Sequence, residues 1–330
     1  MSNLPLVSIC IPAFNSEKWI DETIQSSLNQ TWQNKEIIIV DDGSTDNTWN
    51  IIENYANKYP TIIKIFRQEN KGACAARNLA FEMSSGEYIQ WLDSDDILAS
   101  DKIGIQMNYA LSDNDSSMLY CGKFGSFRKN IKNVKFKDNS LWNDLTPYEW
   151  MINYLGDVLM TQPGAWLISR YIIEITGPWN ESLIKNQDGE YIFRLVSNSK
   201  FIKFTPEAII YYRSGIHGSV SKTYSQESID SVFRGIKKSI EVLIAKYPLT
   251  KEIENAIQNV LKVFLAKNYY SNSIIIKEAM DLLLKYNGQF NLPSEPIHFR
   301  FIKKLFGIKT ALYLKNLWWN FKLKTGIGAI

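Results

Sequence analysis

Short apolar runs alternate with stretches of helical spacing along the first part of the chain. The runs are typical of strands buried on both faces: Leu6–Pro12, Glu36–Val40, Ile62–Phe66 and Glu87–Leu92. Between them, apolar residues recur three to four positions apart, which predicts a helix in each connection. Consecutive strands joined through helices lie parallel. We therefore predict an α/β fold with a Rossmann-like, mostly parallel sheet flanked by helices.

Polar residues follow three of the predicted strands at the point where each strand ends. They are the segments Pro12–Asn15, Asp41–Asp42 and Asp93–Asp96. Ligands bind at the carboxyl ends of parallel strands, so the three segments should converge there. The carboxylates of the last segment repel one another unless a cation lies among them, and oxygen ligands suit Mg²⁺ or Mn²⁺. The alternative is a solvated acidic turn in which Ser94 or Asp96 caps the next helix.

The pattern is less regular after the fourth predicted strand. Three further strands are predicted: Met118–Gly122, Trp166–Ser169 and Ala208–Tyr212. Asp188 opens a predicted helix, where favourable interaction with the helix dipole is itself a sufficient reason for a carboxylate. Everything after residue 225 has helical spacing. We predict an α/β domain over residues 1–225 and a helical C-terminal region over 226–330.

Composition narrows the class of protein. Of 330 residues, 45% are hydrophobic and 22% are charged, so a disordered chain is not expected. Three scattered cysteines and two histidines argue against a disulfide framework, a cysteine-based zinc site or a multi-histidine metal centre. The start of the chain has no signal-peptide pattern, and no apolar run is long enough to span a membrane. We expect a cytoplasmic protein.

The end of the chain is basic and aromatic. Residues 297–330 contain seven Lys or Arg and no acidic residue, whereas the whole chain has a net charge of +3. Four of these cations share one side of a helical wheel: Arg300, Lys304, Lys315 and Lys322. Cationic stems beside aromatic rings indicate that residues 297–324 bind an anionic membrane surface at the inner membrane face. The alternative is a helix packed on the protein itself or on a second subunit of a homodimer.

Five linked motifs occur between residues 6 and 222. They are Ser8–Asn15, Glu36–Asp46, Asn70–Ala73 with Arg77–Asn78, Asp93–Asp95, and Gln187–Asp188 ahead of Arg194. In this order and spacing the chain resembles the family 2 inverting glycosyltransferases with the GT-A fold. An Asp-x-Asp pair alone is weak support, but five linked motifs are specific. The resemblance implies transfer of one sugar from a nucleotide-diphosphate sugar to a hydroxyl of a glycan or lipid-linked acceptor, in surface polysaccharide or glycolipid assembly.

The resemblance also implies which residues bind the nucleotide. Pro12 and Ala13 would offer backbone groups to the base, and Phe14 would stack on it. Asp42 would accept a hydrogen bond from a base N–H such as that of uracil, which favours a UDP-sugar, and Arg77 would face the nucleotide or its diphosphate. The alternatives are a core position for Phe14, a turn-forming role for Asp42 and a structural ion pair for Arg77.

The remaining acidic motifs would carry the chemistry. Asp93 would contact the ribose, and Asp95 would bind a divalent metal, Mn²⁺ or Mg²⁺, that neutralises the leaving diphosphate. Asp188 would be the base that takes the proton of the acceptor hydroxyl, with Glu190 as the fallback. Asp96 is expected to cap the following helix.

Further positions follow from the same resemblance. His217 would complete the metal sphere or touch the diphosphate from a mobile loop, and Arg213 is a comparable candidate; the alternative for His217 is an exposed loop residue. Family members often have Glu before the base, whereas this chain has Gln187, so the role of that position stays open. The sugar and the acceptor are expected to be set by a pocket floor between Trp150 and Trp166.

Other functions share parts of this pattern. A sugar nucleotidyltransferase would use nucleotide, metal and a similar sheet, but no Gly-rich phosphate loop with Arg and Lys lies near the N-terminus. A non-catalytic nucleotide-sugar-binding protein would keep the sheet, but Asp95 and Asp188 are both present. A processive synthase is disfavoured because no Gln-x-x-Arg-Trp motif follows Asp188. We expect no nucleic-acid partner.

Overall fold

The computed structural model describes residues 4–215, 225–268, 274–290 and 304–305, and it contains one mixed sheet. Within those residues the sheet has the strands β1 (Val7–Ala13), β2 (Lys35–Asp41), β3 (Ile63–Arg67), β4 (Tyr88–Trp91), β5 (Ile97–Leu98), β6 (Met118–Phe127), β7 (Lys135–Phe136), β8 (Trp166–Ser169) and β9 (Phe201–Arg213). The strand order is β3-β2-β1-β4-β8-β6-β9-β5, with β7 paired to β6.

Ten α-helices occur among the described residues. Their bounds are α1 (Ile20–Leu28), α2 (Thr48–Lys58), α3 (Ala73–Glu82), α4 (Lys102–Asp113), α5 (Pro147–Gly156), α6 (Arg170–Thr176), α7 (Gln187–Asn198), α8 (Gln226–Lys246), α9 (Lys251–Asn268) and α10 (Ile274–Lys285). Short 3₁₀ turns lie at Ile131–Asn133 and Pro163–Ala165. The helices α1, α2 and α3 connect the first four strands, as the spacing predicted.

The first four strands form the parallel half of the sheet. β1 pairs in parallel with both β2 and β4, and β2 pairs in parallel with β3. Every residue of β1 is buried, as expected for a strand covered by helices on both faces. The register places Ala13 opposite Asp41, so the ends of β1 and β2 lie side by side. This half therefore brings the polar segments after β1, β2 and β4 to one edge.

The second half of the sheet is mixed. β8 runs antiparallel to both β4 and β6, while β6 and β9 are parallel. No single crossover helix joins β4 to β8, because β5, α4, β6 and α5 come between them in the chain, so a parallel pairing is not required. β9 is much longer than the predicted strand Ala208–Tyr212 and carries the chain back toward the end of β4, where it pairs with β5. The mixed half closes the sheet beside the acidic segment.

The chain forms two compact units, Met1–Val260 and Leu261–Ile330. The predicted boundary between residues 225 and 226 falls inside the first unit, where α8 packs on the segment before α7. There the Ser231 hydroxyl accepts hydrogen bonds from the backbone N–H groups of Ile184 and Lys185, at 3.0 and 2.9 Å.

The basic segment 297–324 lies outside the described residues, apart from 304 and 305. In the part of the chain that the structure describes, we find no helix of sufficient length and apolar character to cross a membrane.

Candidate functional site

Phe14 is presented at the end of β1 by a tightly fixed turn. Asn15 has a positive φ of 47°, its backbone N–H donates to the Ser44 hydroxyl at 2.9 Å, and its side-chain Oδ1 accepts from Thr45 N–H at 2.9 Å. The Phe14 side chain is 47% exposed although it is large and apolar. The alternative of a core Phe is therefore not what the structure shows, and the ring is open to a stacking partner.

The two residues before Phe14 lie inside the sheet. Pro12 and Ala13 are buried in the last positions of β1, and the carbonyl of Ala13 accepts from the backbone N–H of Asp42 at 2.8 Å. Pro12 has no N–H to donate. Contact between these backbone groups and a base stays a prediction.

Asp42 lies at the expected edge but is already bonded to the protein. Its carboxylate accepts from the Gln68 side chain at 2.7 Å and from the backbone N–H groups of Lys71 and Gly72 at 2.9 and 2.8 Å. A carboxylate has about four acceptor positions, so one is left for a ligand. The side chain fixes the loop before α3, and its contact with a base stays a prediction.

The three carboxylates after β4 have three different environments. Asp93 Oδ1 accepts from Arg77 at 2.7 Å. Asp95 has no ion pair among the described residues; burial, and then the charge of Asp93, raise its pKa to about 7. Asp96 is fully buried and accepts from the Gln162 side chain and from Arg213 N–H.

The expectation that Asp96 caps a helix is wrong. The residues after it form β5, and α4 begins only at Lys102. Its two hydrogen bonds join three segments that meet behind the acidic turn, since Gln162 precedes β8 and Arg213 ends β9. Burial, followed by the charges of Asp95 and Asp93, raises the pKa of Asp96 well above its usual range.

Arg213 is part of the same support and does not face a diphosphate. Its side chain is 2% exposed, donates to the Asp95 carbonyl at 2.9 Å and to Glu22 at 2.6 Å, and lies between the rings of Trp19 and Phe127. The candidacy of Arg213 as a diphosphate ligand is therefore corrected, because the guanidinium is enclosed by protein groups. His217 lies outside the described residues.

Arg77 joins the acidic turn to the start of α7. Its guanidinium lies 2.7 Å from Asp93 and 3.6 Å from Asp188, and it stacks over the Trp179 ring with 4.4 Å from Cζ to the ring centroid. The side chain is 5% exposed, so its charge is compensated within the protein. Burial lowers the pKa of Arg77, but Asp93 and then Asp188 outweigh that effect and raise it. A direct contact with the nucleotide stays a prediction, and the observed partners are two carboxylates.

Asp188 stands in the first turn of α7, which begins after Asn186 in a left-handed conformation with φ of 60°. Its side chain is 38% exposed, while Oδ1 is buried without a hydrogen bond and has only the long ion pair to Arg77. Burial raises the pKa of Asp188 to about 6, Arg77 acts in the opposite direction, and Asp93 adds to the rise. A carboxylate with this pKa is ionised at neutral pH yet basic enough to accept a proton.

The residues next to Asp188 are bound to the protein. Gln187 accepts from Arg77 at 3.4 Å and donates to the carbonyl of Leu183 at 2.7 Å. Glu190 is buried and forms a two-point ion pair with Arg194, at 2.8 and 3.1 Å. The fallback assignment of Glu190 as the base is corrected, because its carboxylate is occupied.

The expected pocket floor between Trp150 and Trp166 is also corrected. Both rings are buried and pack edge to face with 5.9 Å between centroids, so neither lines a pocket. Trp150 belongs to α5, a helix that the apolar pattern did not predict. Its signal was in the sequence: Thr146 and Glu149 form a capping box with Pro147 at the first helical position. Trp179, which stacks on Arg77, has no comparable local signal.

Asp95 is the candidate metal ligand among the described residues. No group of three or more His, Cys, Asp or Glu side chains that could hold an ion occurs in the described ranges. Mg²⁺ and Mn²⁺ sites commonly combine one or two carboxylates with phosphate oxygens and water. Asp95 supplies a half-buried carboxylate that has no ion pair among these residues. The donor set fits an ion that arrives with a diphosphate.

Comparison with known proteins decides the family. The model of the family described as Glycosyl transferase family 2 matches residues 8–176. This chain belongs to that family. An uncharacterized glycosyltransferase of Rickettsia typhi is 42% identical over 285 residues, which are 84% of this chain and 85% of the relative.

Two further similar proteins are matched over different fractions of their length. An Escherichia coli enzyme, UDP-Glc:alpha-D-GlcNAc-diphosphoundecaprenol beta-1,3-glucosyltransferase, is 46% identical over 106 residues, 32% of this chain and 41% of that enzyme. The crystal structure of Staphylococcus aureus TarS 1-349 in complex with UDP-GlcNAc superposes with a TM-score of 0.68 at 17% identity, covering 86% of this chain and 81% of that one. Several other curated relatives are matched over less than half of their length.

These findings confirm the predicted family and the GT-A fold, and with them the class of enzyme, a glycosyltransferase. The matched region begins in β1 and ends at the end of α6, so it contains the parallel half, the acidic turn and β8. Asp188 lies beyond the residues that the family model matches. The matches to the Rickettsia relative and to TarS span 84% and 86% of the chain and therefore extend past it.

Proposed function

We propose that this family 2 member is a metal-dependent, inverting glycosyltransferase that moves one sugar from a UDP-sugar to a hydroxyl of a glycan or lipid-linked acceptor. The observation that carries the proposal is the position of Arg77 between Asp93 and Asp188. One buried cation holds the carboxylate expected at the donor and the carboxylate expected to act as base within the same site. A non-catalytic nucleotide binder would have no use for the second carboxylate.

The donor side is supported by exposed and fixed groups. Phe14 offers an open ring at the end of β1, where a uracil base would stack, and Asp42 has one acceptor position left for a base N–H. Asp93 would accept from a ribose hydroxyl while it remains paired with Arg77. Two of the related proteins point to a uridine nucleotide, since one is named as a UDP-Glc transferase and the other was crystallised with UDP-GlcNAc.

The acidic turn would hold the leaving group. Asp95 is the residue that would ligate Mn²⁺ or Mg²⁺ together with the diphosphate oxygens, and Asp96 stays behind it as part of the scaffold. The metal, when bound, would neutralise charge on the departing UDP. Arg213 fixes the backbone of the turn through the Asp95 carbonyl, so the ligand position is preorganised by β9.

Asp188 would take the proton. The acceptor oxygen attacks the anomeric carbon as the bond from that carbon to the UDP oxygen breaks, and the acceptor proton moves to the Asp188 carboxylate. Attack from the face opposite to UDP inverts the configuration. Because Asp188 Oδ1 has no hydrogen-bond donor of its own, its basicity is not reduced by a second partner besides Arg77.

A donor panel tests the proposal. Thermal shift is measured with UDP, UDP-glucose, UDP-GlcNAc, UDP-galactose and GDP-mannose, each with Mn²⁺ or with EDTA. We expect the uridine nucleotides to raise the melting temperature mainly in Mn²⁺, by mass action on the folded state, and GDP-mannose to have little effect.

Two variants complete the test. Asp95→Ala should lose the part of the shift that depends on Mn²⁺. Asp138→Ala is the matched control, because its side chain is 87% exposed and lies outside the site. Shifts that are the same for every nucleotide, or the same in Mn²⁺ and EDTA, would contradict the proposal. The proposal also includes binding of residues 297–324 to an anionic membrane surface at the inner membrane face, with a homodimer as the alternative role of this segment.

A further inference from the structure

Tyr154 lies beside the residue that follows the candidate base, although it comes from a different part of the chain. It lies in the last turn of α5, and its hydroxyl occupies the space beside Gly189, the residue directly after Asp188. A Cβ atom added at Gly189 would overlap the Tyr154 hydroxyl, so a glycine at this position is what allows the hydroxyl to approach the backbone. The Tyr154 hydroxyl is thus placed at the entrance to α7, next to Asp188.

The ring of Tyr154 is held rigidly. It stacks on Trp150 with 4.9 Å between centroids and an interplanar angle of 9°, and it packs against Phe193 of α7 at 5.9 Å. The carbonyl of Tyr154 accepts from Leu159 N–H at 3.0 Å, across a turn in which Val158 has a positive φ of 52°. A left-handed conformation is costly for a β-branched residue. The ring contacts and the hydrogen bond to its carbonyl restrain Tyr154 at both side chain and backbone.

No hydrogen bond from the Tyr154 hydroxyl to another described residue is found, although a largely buried tyrosine usually has one. The side-chain oxygen of Asn186 lies on the same side of Gly189, since a Cβ added there would overlap it as well. Burial, followed by the nearby charge of Asp188, raises the pKa of Tyr154, so the group remains a protonated donor throughout the neutral range. A rigid, unpaired O–H donor beside the candidate base is suited to a polar atom brought by the substrate.

We propose that the Tyr154 hydroxyl donates a hydrogen bond to a sugar hydroxyl of the substrate at Asp188 and thereby positions it for transfer. This inference rests on the proposed function. In a displacement at the anomeric carbon, the base lies within hydrogen-bond reach of the attacking oxygen, and that oxygen lies about 3 Å from the carbon. A donor beside the start of α7 would then meet either the transferred sugar or the acceptor sugar. Both sources offer the same chemistry, a saccharide hydroxyl.

Tyr154→Phe removes only the hydroxyl and keeps the ring stack. Tyr148→Phe is the matched control, because Tyr148 is on the same helix and its hydroxyl donates to Glu252 at 2.7 Å, outside the site. In the first arm, affinities for UDP, UDP-glucose and UDP-GlcNAc are measured by calorimetry with Mn²⁺. If the partner is the transferred sugar, the ratio of the affinity for the UDP-sugar to the affinity for UDP should fall about fivefold in Tyr154→Phe. The affinity for UDP alone should be unchanged.

The second arm addresses the acceptor. The donor is the labelled UDP-sugar that binds best to the wild type, and the acceptor is supplied by an extract of the cells from which the protein comes. Transfer of label to the extract is measured, and hydrolysis of the UDP-sugar by water is followed in parallel. If the partner is the acceptor, transfer by Tyr154→Phe should fall about fivefold through a raised KM for the extract, with unchanged hydrolysis.

The inference is overturned if Tyr154→Phe matches wild type and Tyr148→Phe in both arms. A wild type that binds no UDP-sugar would instead defeat the proposed function, so the two failures are distinguishable. Should Tyr154→Phe not fold, wild-type protein with ¹³Cζ-labelled tyrosine gives a second measurement. A tyrosine resonance should then respond to UDP-sugar or to acceptor beyond the response to UDP, and identical spectra in all three cases would also overturn the inference.

Discussion

Two carboxylates at the candidate site, Asp42 and Asp188, differ in how the protein satisfies them. Asp42 accepts three hydrogen bonds from protein donors and fixes the loop before α3. Asp188 has one oxygen buried without a hydrogen bond and only a 3.6 Å ion pair to Arg77. Asp42 is therefore mostly satisfied by the protein, with one acceptor position left, whereas Asp188 keeps an oxygen that no protein donor satisfies. A buried oxygen without a hydrogen bond lowers the stability of the free protein, but it can accept a hydrogen bond from a substrate.

The largest effect should come from removing the base. Asp188→Asn keeps the size and polarity of the side chain but cannot accept the acceptor proton, so kcat for transfer should fall about 10³-fold. Affinity for UDP-sugar, measured by calorimetry, should stay within a factor of about three because the change lies on the acceptor side. Substantial turnover by this variant would mean that another group is the base and that the contrast with Asp42 is misplaced.

The contrast predicts the opposite behaviour for Asp42. Asp42→Ala leaves Lys71 and Gly72 N–H without their acceptor, and the free energy of unfolding should fall by about 3 kcal/mol, measured in urea. Asp188→Asn should change it by less than about 1 kcal/mol. If the two variants were equally stable, the description of Asp42 as a scaffold group would be wrong.

Phe14 separates binding from stability. Its ring is about half exposed, so Phe14→Ala should hardly change the free energy of unfolding, yet it should weaken UDP binding by about 2 kcal/mol through the lost stacking on the base. The exposed Leu249→Ala variant, outside the site, serves as the control and should bind UDP as wild type does. If Phe14→Ala lowered the free energy of unfolding but bound UDP normally, Phe14 would be a packing residue and the predicted stacking on the base would be wrong.

The smallest effect is the dependence on pH. Asp188 must be ionised to accept a proton, and its pKa is raised to about 6. The ionised fraction falls as pH drops through that value, so kcat at pH 5 should be about a tenth of that at pH 7. The rate is measured at saturating donor with the extract as acceptor. An acidic limb near pH 4 would indicate that burial does not raise the pKa of the working base.

The first four strands, the acidic turn and the helix that carries Asp188 in its first turn could be predicted from the sequence alone. Each depends on local patterns: apolar runs buried on both faces, helical spacing between them, and carboxylates where a strand ends or a helix begins. The family resemblance followed from the same local motifs, because they keep their order along the chain. Even the missed helix α5 carried a local signal in its capping box.

The roles of individual site residues were decided by the tertiary structure. Arg77 pairs with Asp93 and Asp188, Asp96 pairs with Gln162 and Arg213, and Tyr154 fills the space left by Gly189; in each case the partners lie far apart in sequence. Residue types fix which groups can carry charge or donate a hydrogen bond. Whether a carboxylate ends up satisfied by the protein or left open for a substrate depends on which distant segments the sheet brings beside it.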